Sequence, residues 1–222
     1  GPFEANAVFQ IERGVTIQTD RESYEADEFS RNLISFGRSR ASLPEKDASK
    51  IPYTAKKWTL LGDIFWIKDK SLLVGFGALV IDSDRVVKAQ GLVRVPIDDP
   101  AAFRVLLGKT WDKGIFLEES DEKSTRTYFS TRIKGVQGWE LWTVLQSDPL
   151  QKGGGIDYGL SQAVRSLGGR DWILIGHLTL LQEKGSFLAR QAALINSDGD
   201  IIFGSEIEVP VGNPSGVRVI RK

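Results

Sequence analysis

Cysteine is absent from this chain of 222 residues, so it can form no disulfide framework, no thiolate nucleophile and no Cys-based zinc site. Histidine occurs once, at His177. One chain therefore cannot build a poly-His metal centre and could form at most one Ser-His-acid triad, and no Gly-x-Ser-x-Gly elbow accompanies it. Net charge is missing too, because 29 Lys and Arg balance 29 Asp and Glu. That balance removes long-range steering toward nucleic acid or an anionic membrane. No apolar run reaches the roughly 18 to 20 residues a membrane-spanning helix needs; the stretch from Leu72 to Ile81 stops at Asp82. Together these absences predict a soluble protein without metal or cofactor. Gly1-Pro2 reads as the remnant of a protease cut, so the lack of a signal segment excludes nothing.

What the chain does have is the 41% hydrophobic and 26% charged balance of a folded protein with a sizeable core. It also has an internal repeat. At an offset of 114, residues 58–100 lie on residues 172–214 without a gap, with 11 identities in 43 positions, where ordinary compositions would give about three. The identities include Trp58 with Trp172, Gly62 with Gly176, Ala78 with Ala192, Asp84 with Asp198, and Pro96 with Pro210. Upstream, an offset of 131 sets Phe29, Leu33, Phe36 and Gly37 on Leu160, Val164, Leu167 and Gly168. Apolar residues at i, i+4 and i+7 followed by Gly predict a capped helix in each copy, with Ser23 and Asp157 as N-caps.

The resulting fold expectation is α+β: a tandem duplication of a ββαβββ unit, each antiparallel sheet packed on a helix, in a pseudo-twofold body. The first repeat takes residues 3–97, a connecting helix 98–114, and the second repeat 115–222. Strands are expected near Val8–Glu12, Val15–Thr19, Trp58–Ile67, Leu72–Asp82 and Val86–Pro96. Their counterparts fall near Arg126–Lys134, Trp139–Gln146, Trp172–Leu181, Phe187–Asn196 and Asp200–Pro210. Short connections rich in turn formers make consecutive strands antiparallel. Asp99-Pro100, followed by Phe103, Leu106 and Leu107, predicts the connecting helix. Because Trp58–Ile67 is apolar on both faces, it is expected to be central.

Two groups of residues are candidates for chemistry. Asp63 and His177 follow the glycine shared by the two copies, and an Asp-His pair can move a proton near neutral pH; the competing reading makes both ordinary polar residues of a strand. Lys152, Gly153, Gly154 and Gly155 form a glycine-rich loop ahead of the expected second helix, where free amides could hold phosphate or carboxylate. The loop lacks a P-loop ending, and a plain connection is the alternative. The Asp82-Ser83-Asp84 and Asn196-Ser197-Asp198-Gly199-Asp200 segments lack the Gly and Glu positions of a calcium loop and read as hairpin turns.

Functionally, this inventory favours a non-catalytic binding or assembly protein. A protein partner or self-association is expected, through sheet edges or the tail Gly212–Lys222, with no membrane and with nucleic acid disfavoured. The alternative is an enzyme or carrier for a small apolar or acyl ligand between the halves, using Asp63 and His177.

Overall fold

The computed structural model describes residues 7–19, 32–45, 57–117, 131–143 and 148–222. The chain divides into two compact units, Gly1–Thr127 and Tyr128–Lys222. Both are antiparallel β, and no α-helix occurs among the described residues. The α+β expectation is therefore overturned.

Among the described residues, the first unit is a seven-stranded meander in which every strand pairs with its sequence neighbours. Its strands are β1 (Ala7–Gln10), β2 (Thr16–Thr19), β3 (Leu33–Pro44), β4 (Lys57–Ile67), β5 (Leu72–Ile81), β6 (Val86–Pro96) and β7 (Arg104–Phe116). β4 holds the middle place, and its residues from Thr59 to Phe65 are all buried. Side chains from all seven strands meet in one core, among them Phe9, Ile17, Phe36, Leu60, Ile64, Leu73, Val80, Val93 and Val105. The rings of Trp58 on β4 and Phe103 just before β7 lie 6.3 Å apart, although a flat sheet would separate strands three places apart by about 14 Å. The sheet curls over its own inner face, and that face supplies the cover the sequence reading assigned to a helix.

The second unit has strands β8 (Thr131–Val136), β9 (Trp139–Thr143), β10 (Leu150–Lys152), β11 (Gly155–Leu167), β12 (Arg170–Leu181), β13 (Ser186–Asn196), β14 (Ile201–Pro210) and β15 (Arg218–Arg221). Their order is β15-β14-β13-β12-β11-β9-β8, with β10 paired to β11. The core repeats the pattern of the first unit, with Leu141, Tyr158, Leu174, Leu178, Phe187, Leu194, Ile207 and Val209. Trp58 and Trp172 are both half-buried at the margins of the two cores.

The two sheets correspond in their irregularities as well as their strands. The β4–β5 ladder slips between Leu61 and Asp63, and the β12–β13 ladder slips between Ile175 and His177. At the slip, a Cβ on Gly62 would lie 2.7 Å from the Ala78 Cβ, and one on Gly176 would lie 2.8 Å from the Ala192 Cβ. The following turns match in detail. Asp82 Oδ1 accepts from the amides of Asp84 and Val86, both at 2.9 Å. Asn196 Oδ1 accepts from those of Asp198 and Asp200 at 3.0 and 2.9 Å. Asp82 and Asn196 thus shape side-chain-closed hairpin turns.

Two helices of the sequence reading are replaced, and a third is replaced where it falls on described residues. The segment Asp157–Gly168 is mostly β11, which carries an extra residue, Tyr158, between Asp157 and Gly159. The bulge switches the inward side from Ile156 and Tyr158 to Ala163, so Leu160 and Val164 fall on the opposite face and imitate a helical stripe. In the first copy, residues 20–31, including Ser23 and Phe29, lie outside the described residues, while Leu33, Phe36 and Gly37 belong to β3. The connecting helix over 98–114 is a single 3-10 turn at Pro100–Ala102 followed by β7. The second unit has the same turn at Pro214–Gly216, followed by the shorter strand β15.

Candidate functional site

The bulges decide where the candidate residues stand. Asp63 follows Gly62 on β4 and is buried, 8% exposed, with Arg38 on β3 and Phe76 on β5 as its register neighbours. His177 follows Gly176 on β12 and is exposed, with Leu160 and Arg190 beside it. The two residues thus occupy matching positions in different units with opposite burial, and neither unit contains both.

Around His177 the register extends a polar row across the second sheet. His177 stands opposite Arg190, Arg190 opposite Glu206, and Glu206 opposite Arg221. Such cross-strand neighbours sit about 5 Å apart at Cβ, close enough for charges to interact. The row ends on the outermost strand, which a second cross-strand pair helps to hold: the Arg218 guanidinium donates to Glu208 at 2.8 Å. Sequence reading identified His177 but missed Arg190, Glu206 and Arg221. The offset repeat carried no signal for them, because it compares positions along the chain and not across strands.

The glycine-rich loop has a different geometry from the one expected. Leu150–Lys152 pairs with Gly155–Asp157, and Gly153 and Gly154 close the hairpin with φ of 47° and 80°. Two consecutive positive φ values are the signature of a two-residue hairpin turn that matches strand twist. Lys152, Gly153 and Gly154 are exposed, and a strand, not a helix, follows them. The amides at a helix N-terminus that motivated anion binding are therefore not formed.

Just beyond this hairpin, the bulge in β11 is shared with β3. Gly159 N–H donates to Asp157 Oδ1 at 2.9 Å, and Ser161 Oγ donates to the Tyr158 carbonyl at 3.0 Å. In β3, Gly37 N–H donates to Ser35 Oγ at 3.4 Å, and Ser39 Oγ donates to the Phe36 carbonyl at 3.0 Å. Phe36 and Tyr158 are the residues the register skips, and both are buried in their cores. Burial pushes the Tyr158 hydroxyl above its ordinary range. A raised folded-state value means that the folded protein keeps this proton longer than the unfolded chain. The associated stability is complete below about pH 10, the unfolded value, and is lost as pH rises through the folded one. Tyr158→Phe, which installs the residue the first unit already uses, should shift stability at neutral pH by no more than about 1 kcal/mol. Above about pH 10 the variant should become the more stable partner of the pair. Urea melts of parent and variant between pH 7 and 11 check this, and parallel curves throughout would contradict it.

The described edge of the second sheet combines exposed apolar side chains with main-chain donors and acceptors. All four residues of β15 are exposed, with Val219 at 39% and Ile220 at 41%. On β14, Ile202 and Phe203 are 36% and 38% exposed. No helix among the described residues is long and apolar enough to cross a membrane, and no group of three or more His, Asp and Glu among them gathers as a metal site. Set against family models, curated proteins and solved structures, the chain matches none of them.

Proposed function

We propose that the chain is a non-catalytic binding or assembly protein made of two copies of one β-meander unit, and that it acts by offering sheet edges to a polypeptide, either a partner protein or a second copy. Support for two copies comes from the shared positions of the glycine slips, the bulges and the side-chain-closed turns. The binding reading rests above all on β15, a four-residue edge strand exposed throughout, with two large apolar side chains. Natural sheets usually blunt such an edge with charge or cover. Here Arg218 and Arg221 flank Val219 and Ile220, which fits a surface kept soluble until it is paired. Each inner face is filled by its own side chains, so the edges are the parts left to make contacts.

Light scattering over a concentration series, with native mass spectrometry, tests the proposal. The expected result is an associated species or a retained polypeptide that Ile220→Lys abolishes. Because Ile220 is 41% exposed, the substitution should change stability by less than about 1 kcal/mol. A lone monomer without bound polypeptide, in parent and variant alike, would overturn the proposal.

A further inference from the structure

We infer that Arg94 and Arg104 form a binding site for a carboxylate, the group that a glutamate of the chain itself supplies at the matching place in the second unit. The inference rests on the correspondence of the two sheets and goes beyond the reading above, since no strand has to pair with an edge.

The register sets the two places side by side. Arg94 lies on β6 between Val93 and Val95, which face the first core, and its cross-strand neighbours are Val74 on β5 and Arg104 on β7. Glu208 lies on β14 between Ile207 and Val209, which face the second core, and its neighbours are Leu188 on β13 and Arg218 on β15. At an offset of 114 each of these residues falls on its counterpart. Nearby, Gly91 and Gly204 stand opposite Ala78 and Ala192, which ties β6 to β14 a second time. The arginine of the outer strand is common to both places, but the charge beside it is reversed. In the second unit Glu208 and Arg218 close an ion pair at 2.8 Å. In the first, two guanidinium groups are directly opposed, an arrangement that weakens a sheet, and no carboxylate among the described residues pairs with them.

The Arg94 side chain adds a second observation. Its Nε is cut off from water and has no hydrogen-bond acceptor, while the residue as a whole is partly exposed. Buried donors are nearly always paired, so an unpaired one on a cation calls for an acceptor. Val74 has none in its side chain, and Arg104 brings only donors. A carboxylate accepts from the planar fork of arginine through paired, charge-assisted bonds. Set between the two side chains, it would accept from both, offset their repulsion and restore the alternation of charge that Glu208 and Arg218 show. Arg104 is exposed, so the site opens to solvent on the side of the outer strand. A carboxylate is assigned in preference to another anion because a carboxylate fills the equivalent position.

The test follows the arginine Nε–H signals of the full chain by NMR. The probe is N-acetylglutamate N-methylamide, which carries one side-chain carboxylate, and sodium chloride at equal ionic strength is the control. Saturable shifts of the Arg94 and Arg104 signals with the probe, and not with chloride, are expected. Arg94→Gln removes one guanidinium and should weaken binding about tenfold or more. Arg94→Glu copies the ion pair of the second unit, so it should fold and bind no probe, the site being filled from within. Should that variant fail to fold, Arg94→Gln decides. Glu208→Arg should create a second site, read as saturable shifts of the Arg218 signal, and its absence would overturn the equivalence the inference uses. Shifts that chloride reproduces, or binding that survives Arg94→Glu and Arg94→Gln, would overturn the inference and leave two solvated arginines. Inorganic phosphate is titrated in a further arm, and saturation by phosphate without saturation by the probe overturns the assignment to a carboxylate. None of these outcomes bears on the association test with Ile220→Lys, so each proposal can fail alone.

Discussion

Gly91→Ala is expected to cost about 4 kcal/mol, the sum of overpacking at roughly 1–3 and a strained backbone at roughly 1–3. Gly91 has φ of 132° and faces Gly108, whose φ is 139°. A Cβ at Gly91 would lie 2.0 Å from the Leu107 carbonyl oxygen and 2.8 Å from the Gly108 Cα, both backbone atoms that no rotamer change can clear. Relief requires β7 to separate from β6, and with it Val105 and Phe103 to leave the core of the first unit. Gly204 supplies the internal comparison. Its Cβ would stand 2.7 Å from the Arg221 carbonyl, but that strand is four exposed residues long and can shift. Gly204→Ala should therefore cost no more than about 1–2 kcal/mol. Urea midpoints give the two magnitudes. Hydrogen exchange should show faster amides along β6 and β7 for Gly91→Ala, and along β15 alone for Gly204→Ala. Equal costs at the two sites would show that the close approach at Gly91 is not what fixes β7.

The correspondence between the two sheets that this comparison uses was legible only in part. At an offset of 114, the strands and turns from β4 to β6 and from β12 to β14 follow from alternating apolar residues and turn formers, which are local signals. β3 and β11 were misread because a bulge breaks alternation. The matching stretches are Ile34-Ser35-Phe36-Gly37-Arg38-Ser39-Arg40-Ala41 and Ile156-Asp157-Tyr158-Gly159-Leu160-Ser161-Gln162-Ala163, at an offset of 122. Four of these eight positions are identical, a better match than the apolar stripe at 131. Gly37, read as a helix cap, instead has φ of 63° beside the bulged Phe36, as Gly159 has φ of 67° beside Tyr158. A glycine with positive φ serves both structures, so that signal could not choose between them. The connecting helix was avoidable: Asp99-Pro100 and Asn213-Pro214 already fell together at 114, and similar sequences should fold alike. The position of Asp63 and His177 after a shared glycine was likewise legible. Their opposite burial was not, because it depends on which neighbours the curled sheet brings over each face.

Trp139→Ala should remove about 3–5 kcal/mol, the usual cost of deleting a buried aromatic side chain. The indole of Trp139 is 2% exposed, meets the Phe187 ring edge-on at 5.5 Å, and donates from Nε1 to the Val211 carbonyl at 2.8 Å. One side chain therefore joins β9 to β13 and to the segment between β14 and β15. The Arg165 guanidinium donates to the same carbonyl, so that oxygen keeps a partner when the indole is removed, and the loss comes mainly from the cavity. Trp139→Phe, which keeps most of the volume and forfeits the hydrogen bond, should cost only about 1–2 kcal/mol. Trp139→Val is the more searching variant. The ladders Ile17–Ala41 and Leu141–Ala163 place Val15 at the matching position of the first unit, where it is fully buried. If the two units were interchangeable at this point, valine would be tolerated. The second core, however, sets Phe187 against the indole where the first has Leu73, so its neighbours are spaced for a large ring. Valine should consequently behave nearly like alanine, about 3 kcal/mol or more below the parent. Urea unfolding of the three variants gives the order, and a Trp139→Val protein as stable as Trp139→Phe would refute this account of the second core.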